Sequence, residues 1–257
     1  MSIITFLTDF GTHDWFVASM KGVALGINPA AALVDITHDI DQGDITSAAF
    51  VLDMCRWTFP KSTVFVVVVD PGVGSERRAI ALRAGGRSFV GPDNGVFSFI
   101  MADTEDCEIH QITNDDLFRK PVSATFHGRD IFTPVGAHLS HGVSLDAVGP
   151  LCTDPVVIER PTVVNTDTVI RGQVVYIDRF GNALTNIDRT VFNRLSSPPT
   201  IVEIATATMS LGTHYAQCPR GEALALLNSV GRLEIAVNGG SAAQRFGLHP
   251  GAEVIVK

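Results

Sequence analysis

Cysteine is sparse and scattered in this chain. Cys55, Cys107, Cys152 and Cys218 form no C-x-x-C pair, which argues against a finger-type zinc site and against a disulfide scaffold at this size. Long apolar runs are missing as well. The longest strong one, Val64–Val69, falls far short of the ~20 residues that span a bilayer. The opening MSIITFLTDFG has no basic stretch and meets an acid at Asp9, which speaks against a signal peptide. Positive charge is short: 19 Lys and Arg stand against 27 Asp and Glu, a net charge of −8, and no basic stripe offers a footprint for nucleic acid. No G-x-G-x-x-G follows the first strand-like segment, and neither a G-x-x-x-x-G-K-[ST] loop nor an H-E-x-x-H pair occurs anywhere. Internal repeats and low-complexity stretches are absent too. What is left is a globular composition, 46% hydrophobic and 18% charged in 257 residues, enough for one large domain or two smaller ones. The expectation is a cytoplasmic protein with neither a nucleic-acid nor a membrane partner.

The first half alternates strand and helix patterns. Ile3–Leu7 and Ala32–Ile36 read as strands. Asp14 is placed to cap a helix over Trp15–Leu25, and Asp44–Arg56 carries apolar residues at helical spacing. Thr63–Val69 is apolar on both faces, as suits a central strand covered on both sides. Ala79–Arg83 and Arg87–Val90 flank Ala84-Gly85-Gly86, a hairpin signal, and Gly128–Leu139 reads as one more helix. From Val169 the chain turns to short strands: Gly172–Ile177, Ala183–Ile187, Thr200–Ile204, Ala223–Leu227, Leu233–Val237 and Ala252–Val256. The prediction is a Rossmann-like α/β domain over residues 1–162, with a mainly parallel sheet, followed by an all-β barrel domain over 168–257.

In an open α/β sheet, ligands bind beyond the carboxyl ends of the strands. Those ends are acidic here: Asp9, Asp35 with His38-Asp39 behind it, and Asp70. Each alone is a good turn or cap residue. Gathered at one edge, they would repel one another unless a cation or a polyol uses them. With two acids and one glycine, LTDFGTHD suits ribose hydroxyls or a cationic group better than a phosphate. VDPGVGSERR delivers Asp70 from a buried strand into a rigid turn followed by Arg77 and Arg78; it is either a surface ion pair or an oriented carboxylate–guanidinium pair. GPDNG reads as a turn, and FHGRD sets His127 just before a helix. In the second half, YIDRFGN places Asp178, Phe180 and Asn182 within five residues. An acid, an aromatic ring and an amide could hold an ammonium, stack a purine and read its edge; they could equally close a hairpin. LNSVGR is a similar polar turn. Three functions stay open on the residues alone: an enzyme acting on a nucleoside-bearing substrate, a non-catalytic nucleoside-binding module, and a metal-dependent phosphohydrolase using the hard carboxylate oxygens of Asp9, Asp70 and Asp39 with His38.

Taken in order, LTDFGTHD, VVVDPGVGSERR, GPDNGV, TFHGRDIF, IDRFGN and LNSVGRLEIAVN resemble the S-adenosylmethionine hydroxide adenosyltransferases, relatives of the adenosyl-halide-forming fluorinase and chlorinase. The resemblance covers nearly the whole chain. It implies hydrolysis of S-adenosyl-L-methionine to adenosine and L-methionine, with the (R)-sulfonium epimer as a candidate substrate, and no cofactor or metal. It also implies a homotrimer with active sites between neighbouring subunits. Position by position, it makes Asp70, Arg77 and His127 a water-activating triad, and a carboxylate at residue 70 marks water rather than halide as the attacker. Asp9 is implied for the ribose hydroxyls, Asp14 for the stretch facing the methionine part and Asp178 for the substrate ammonium. Phe180, Asn182 and, more weakly, Tyr215 are implied around the adenine. Ser229 falls to the methionine carboxylate, and Glu234 and Val237 to the strand closing the nucleoside pocket.

Overall fold

The computed structural model describes residues 2–195, 199–205 and 207–257. The chain divides into two compact units, Met1–Glu159 and Arg160–Lys257.

The first unit is built on a six-stranded mixed sheet in the order β2-β1-β3-β5-β4-β6. Its strands are β1 Ile3–Thr8, β2 Ala32–Thr37, β3 Val64–Val68, β4 Ala79–Ala84, β5 Arg87–Pro92 and β6 Glu108–Gln111. The β1–β2, β1–β3 and β3–β5 pairs are parallel, whereas β4 runs antiparallel to both its neighbours. The sheet is central because β3 has no polar face. Val64, Val66 and Val68 join one core with Ile4, Phe6 and the helix residues Met20, Ala24 and Val135. Phe65 and Val67 join another with Ala48, Leu52 and Phe89. The helices behind these layers are α1 Phe16–Ile27, α2 Ile45–Cys55 and α4 Thr133–Ser140, with the short α3 Ser98–Ala102. Asp44 caps α2, its carboxylate accepting from Ser47 N–H. Asp14 does not cap α1: that position belongs to Trp15, and no side chain caps the helix there. The single helix expected over Gly128–Leu139 is a π-helical turn, Gly128–Phe132, that passes into α4.

The second unit closes into a seven-stranded barrel. Its strands are β8 Ile170–Ile177, β9 Ala183–Asp188, β10 Ile201–Ile204, β11 Ala207–Gly212, β12 Ala223–Leu227, β13 Arg232–Val237 and β14 Glu253–Val256, with β7 Val164–Asn165 appended to β8. Pairing of β14 with β8 completes the ring, which removes the open edges that a sheet would otherwise expose. The unit is not wholly β: α5 Arg189–Phe192 and α6 Ala242–Phe246 interrupt it. Both are short enough to escape a helical-period search. Also missed were β6, β7, β11 and α3. Among the described residues no helix is long and apolar enough to cross a membrane.

Phe65 is fully buried, stacked on Phe89 at 4.9 Å and edge-on to Phe59 at 5.4 Å. We expect Phe65→Ala to cost about 3–5 kcal/mol, read as a lower urea midpoint at unchanged m-value.

Candidate active site

Adjacent strand ends place Asp9 after β1 and Asp70 after β3, and the loop before α4 brings His127 beside them. All three line a cavity of about 50 Å³, together with Phe10, Val73, Thr125 and Phe126. That is room for a water or two. Glycine makes the close approach possible. Gly74 has φ +78°, and a Cβ there would lie 2.4 Å from the Ala124 carbonyl oxygen. The turn carrying Asp70 and Arg77 therefore packs directly on the segment leading to His127. At Gly128 a side chain would crowd Val68 and Met20.

Arg77 is the hub. Its Nε donates to both Asp70 oxygens, at 2.9 and 3.0 Å, and its Nη2 reaches His127 Nδ1 at 2.8 Å. A guanidinium has donors and no acceptor, so Nδ1 must accept and the ring proton sits on Nε2. Burial pushes the His127 pKa below its ordinary value; the Arg77 charge lowers it further, against opposing pulls from Asp70 and Asp130. The imidazole is thus held neutral. Arg77 also lies over the Phe132 ring at 5.1 Å, which packs it from the other side. Asp130 is fully buried and anchors the turn behind His127, accepting from Ser123 N–H, Arg119 and Arg129. Asp9 accepts from Gly43 N–H at 2.8 Å. Asp14 stands outside this cavity, half exposed and 3.6 Å from His13.

Of the candidate metal ligands, Asp70 is paired with Arg77, Asp9 accepts from Gly43 N–H and His38 contacts the Thr8 hydroxyl. Among the described residues no group of three or more His, Cys, Asp or Glu is arranged to hold a metal ion.

The barrel unit has its own pocket, about 480 Å³, lined by Phe180, Asn182, Tyr215 and Val237 with Asn238, Gly239 and Gly240. That volume lies in the ordinary range for small-molecule sites, about 300–1,000 Å³. Phe180 is 77% exposed and offers a ring face. Asn182 Nδ2 donates to Asp178 at 3.1 Å, which leaves the amide oxygen as an acceptor. Tyr215 donates its hydroxyl to Glu234 at 2.7 Å. Its pKa is pushed up to about 12 by burial, then by the Glu234 hydrogen bond and charge, so it stays a donor. Asn228 holds the other Glu234 oxygen at 3.2 Å. The Val237 carbonyl already accepts from Gly240 N–H. Asp178 is not a pocket-lining residue: it accepts from the backbone of Phe180 and Asn182 and closes their turn. Ser229 is exposed in the turn after β12 and lines neither cavity. Asn238, Gly239 and Gly240 escaped sequence reasoning, because Asn-Gly-Gly reads simply as a turn.

The first unit holds a water-sized cavity beside a carboxylate–guanidinium–imidazole chain, and the barrel unit holds an aromatic-edged pocket of small-molecule size, features of an enzyme that acts on a small molecule. Comparison with known proteins agrees. Residues 4–149 match the SAM hydroxide adenosyltransferase N-terminal domain and residues 172–255 the C-terminal domain, so the chain belongs to that family. It is 37% identical to the (R)-S-adenosyl-L-methionine hydrolase of Salinispora arenicola, over 98% of this chain and 97% of the relative. It is 29% identical to the fluorinase of Nocardia brasiliensis, over 99% and 96%. A solved structure of an uncharacterised conserved protein from Thermotoga maritima superposes with a TM-score of 0.93 at 38% identity, covering 98% of this chain and 99% of that one.

In an NMR titration, we expect His127 to take its proton below the ordinary histidine value of about 6.5. The unfolded chain protonates first, so stability falls as pH drops through that window. Arg77→Gln removes a cation and leaves Asp70 unopposed, and the His127 midpoint should move upward.

Proposed function

We propose that the protein hydrolyses S-adenosyl-L-methionine, in its (R)-sulfonium form, to adenosine and L-methionine. The observation that carries this reading is the shared cavity of Asp9, Asp70 and His127 with Arg77 bridging the last two. The relative named as a hydrolase, nearly full length at 37% identity, supports the substrate.

Water in that cavity attacks C5′ of the ribose in line with sulfur. The C5′–O bond forms, the C5′–S bond breaks, and its electron pair returns to sulfur. Methionine leaves as a neutral thioether and needs no general acid. The attacking oxygen and the sulfonium bring opposite charges together, so a dry site favours this step over two solvated ions. Because Nδ1 is occupied by Arg77, the neutral imidazole presents an N–H, which holds the attacking oxygen rather than deprotonating it. The proton goes to Asp70, whose oxygens keep lone pairs beyond the Arg77 contacts. Arg77 supplies positive potential for developing hydroxide. Placement of water and substrate contributes several kcal/mol more.

In this reading Asp9 takes the ribose hydroxyls, Phe180 stacks on adenine and the Asn182 oxygen accepts from its amino group. The strand–helix pattern and composition extend the proposal to a Rossmann-like first domain and a cytoplasmic protein, and the family resemblance extends it to a homotrimer with sites made by neighbouring copies. For Asp14, Asp178 and Ser229 the roles at the methionine end rest on that resemblance alone.

Incubation with the substrate should release adenosine and methionine in equal amounts by chromatography. Metal-dependent release of phosphate from a nucleotide, with S-adenosyl-L-methionine left intact, would point to a phosphohydrolase instead, and binding without products to a carrier. Asp70→Ala and His127→Ala should each lower kcat at least ~100-fold while calorimetry still detects substrate binding; unchanged kcat in both would reject the triad. Chelator should leave turnover intact.

A further inference from the structure

The loop that carries Asp9 is held by a device the mechanism does not use. Where β1 pairs with β2, the register slips: Phe6 faces Asp35, but Leu7 faces Thr37, so Ile36 is an extra residue. A bulge re-aims the side chains around it. Here it is accompanied by His38, a buried ring, lying under the end of β1 with Nδ1 2.9 Å from the Thr8 hydroxyl. That hydroxyl also accepts from Phe10 N–H at 3.2 Å, so it spans Asp9 from one side to the other. The His38 carbonyl accepts from Gly11 N–H at 2.7 Å. One residue therefore grips the Asp9 turn with both its ring and its backbone.

The far end of the same loop is tied to the same place. His38 Nε2 lies 3.0 Å from Asp35 Oδ1, close but off the line of a hydrogen bond. The other Asp35 oxygen accepts from Lys21 Nζ at 2.6 Å. Lys21 belongs to α1, the helix that the loop enters. Thr8 before the loop and Lys21 after it are thus both fastened to the Asp35–His38 pair.

We propose that His38, acting through the Thr8 hydroxyl, is a positioning residue that holds the Asp9 carboxylate where it can take the ribose hydroxyls. The inference rests on the hydrolase reading for what Asp9 binds. Among the described residues, no hydrogen bond or ion pair of the clamp reaches Asp70 or Arg77. Its loss therefore weakens capture of the nucleoside part and leaves the activated water in place.

The test uses the full-length chain and steady-state hydrolysis of S-adenosyl-L-methionine. Thr8→Val keeps the shape of the buried side chain and deletes the hydroxyl. It should raise KM about tenfold, the effect of one lost buried hydrogen bond, with kcat nearly unchanged. Thr8→Ser should restore KM. An unchanged KM in Thr8→Val, or a fall in kcat alone, overturns the proposal. If Thr8→Val does not fold, Asp35→Asn takes its place: that carboxylate is 39% exposed and tolerates the change. KM should again rise at constant kcat, and an unmoved KM overturns the proposal. A wild-type chain that releases no adenosine refutes the hydrolase reading, and this proposal with it. An active wild type with a silent Thr8→Val refutes the clamp alone.

Discussion

A guanidinium that can only donate sets the chemistry of the N-terminal unit. Arg77 sits between a carboxylate and an imidazole, donating to both. Asp70 is kept beside a positive charge in a place where little water reaches it. His127 is left one possible tautomer, neutral, with its remaining N–H unused by Arg77. A buried carboxylate stripped of this partner would carry an uncompensated charge. The turn geometry around Gly74, the π-helical turn after His127 and the buried Asp130 behind it all keep these three groups in register.

Around that contact, the fold does two separate jobs. The α/β unit gathers strand ends, which is how an open sheet concentrates polar groups at one edge while its strands stay apolar. The barrel unit supplies an exposed ring, an amide already oriented by Asp178, and a tyrosine locked onto Glu234. The Asn182 amide and the Tyr215 hydroxyl are each held by a neighbouring carboxylate, which fixes their orientation in advance. In the α/β unit the same economy applies to Asp9, whose loop is fixed at both ends by the Asp35–His38 pair.

Much of the architecture was legible in the chain. Val64–Val68 has no polar face and could only be a covered strand; Asp44–Arg56 shows the apolar spacing of the helix that forms there. β6, β11, α3, α5 and α6 were not legible: each has only four to six residues, too few to show a period, and none carries the β-branched apolar run that marks strands of similar length such as β3 and β14. Asp14 misled for a related reason: acids favour helix starts on average, but here the chain enters α1 through Trp15 and the acid points elsewhere. The antiparallel course of β4 follows from the Gly85-Gly86 hairpin, which the sequence did show.

Local sequence determined which stretches carry reactive groups, because Pro-Gly turns, strand ends and a histidine before a helix are written in neighbouring residues. It also determined that the sheet would be covered on both faces, since β3 has nothing to offer water. Only the tertiary structure decided that residues 9, 70 and 127 line one small cavity with Arg77 bridging the last two, that Asp178 turns inward onto its own loop, and that His127 is neutral. The first and last of those outcomes depend on contacts between segments tens of residues apart. A hydrogen-bond partner, a bulge that re-aims a ring and the loss of water around a charge exist only once the chain has closed on itself.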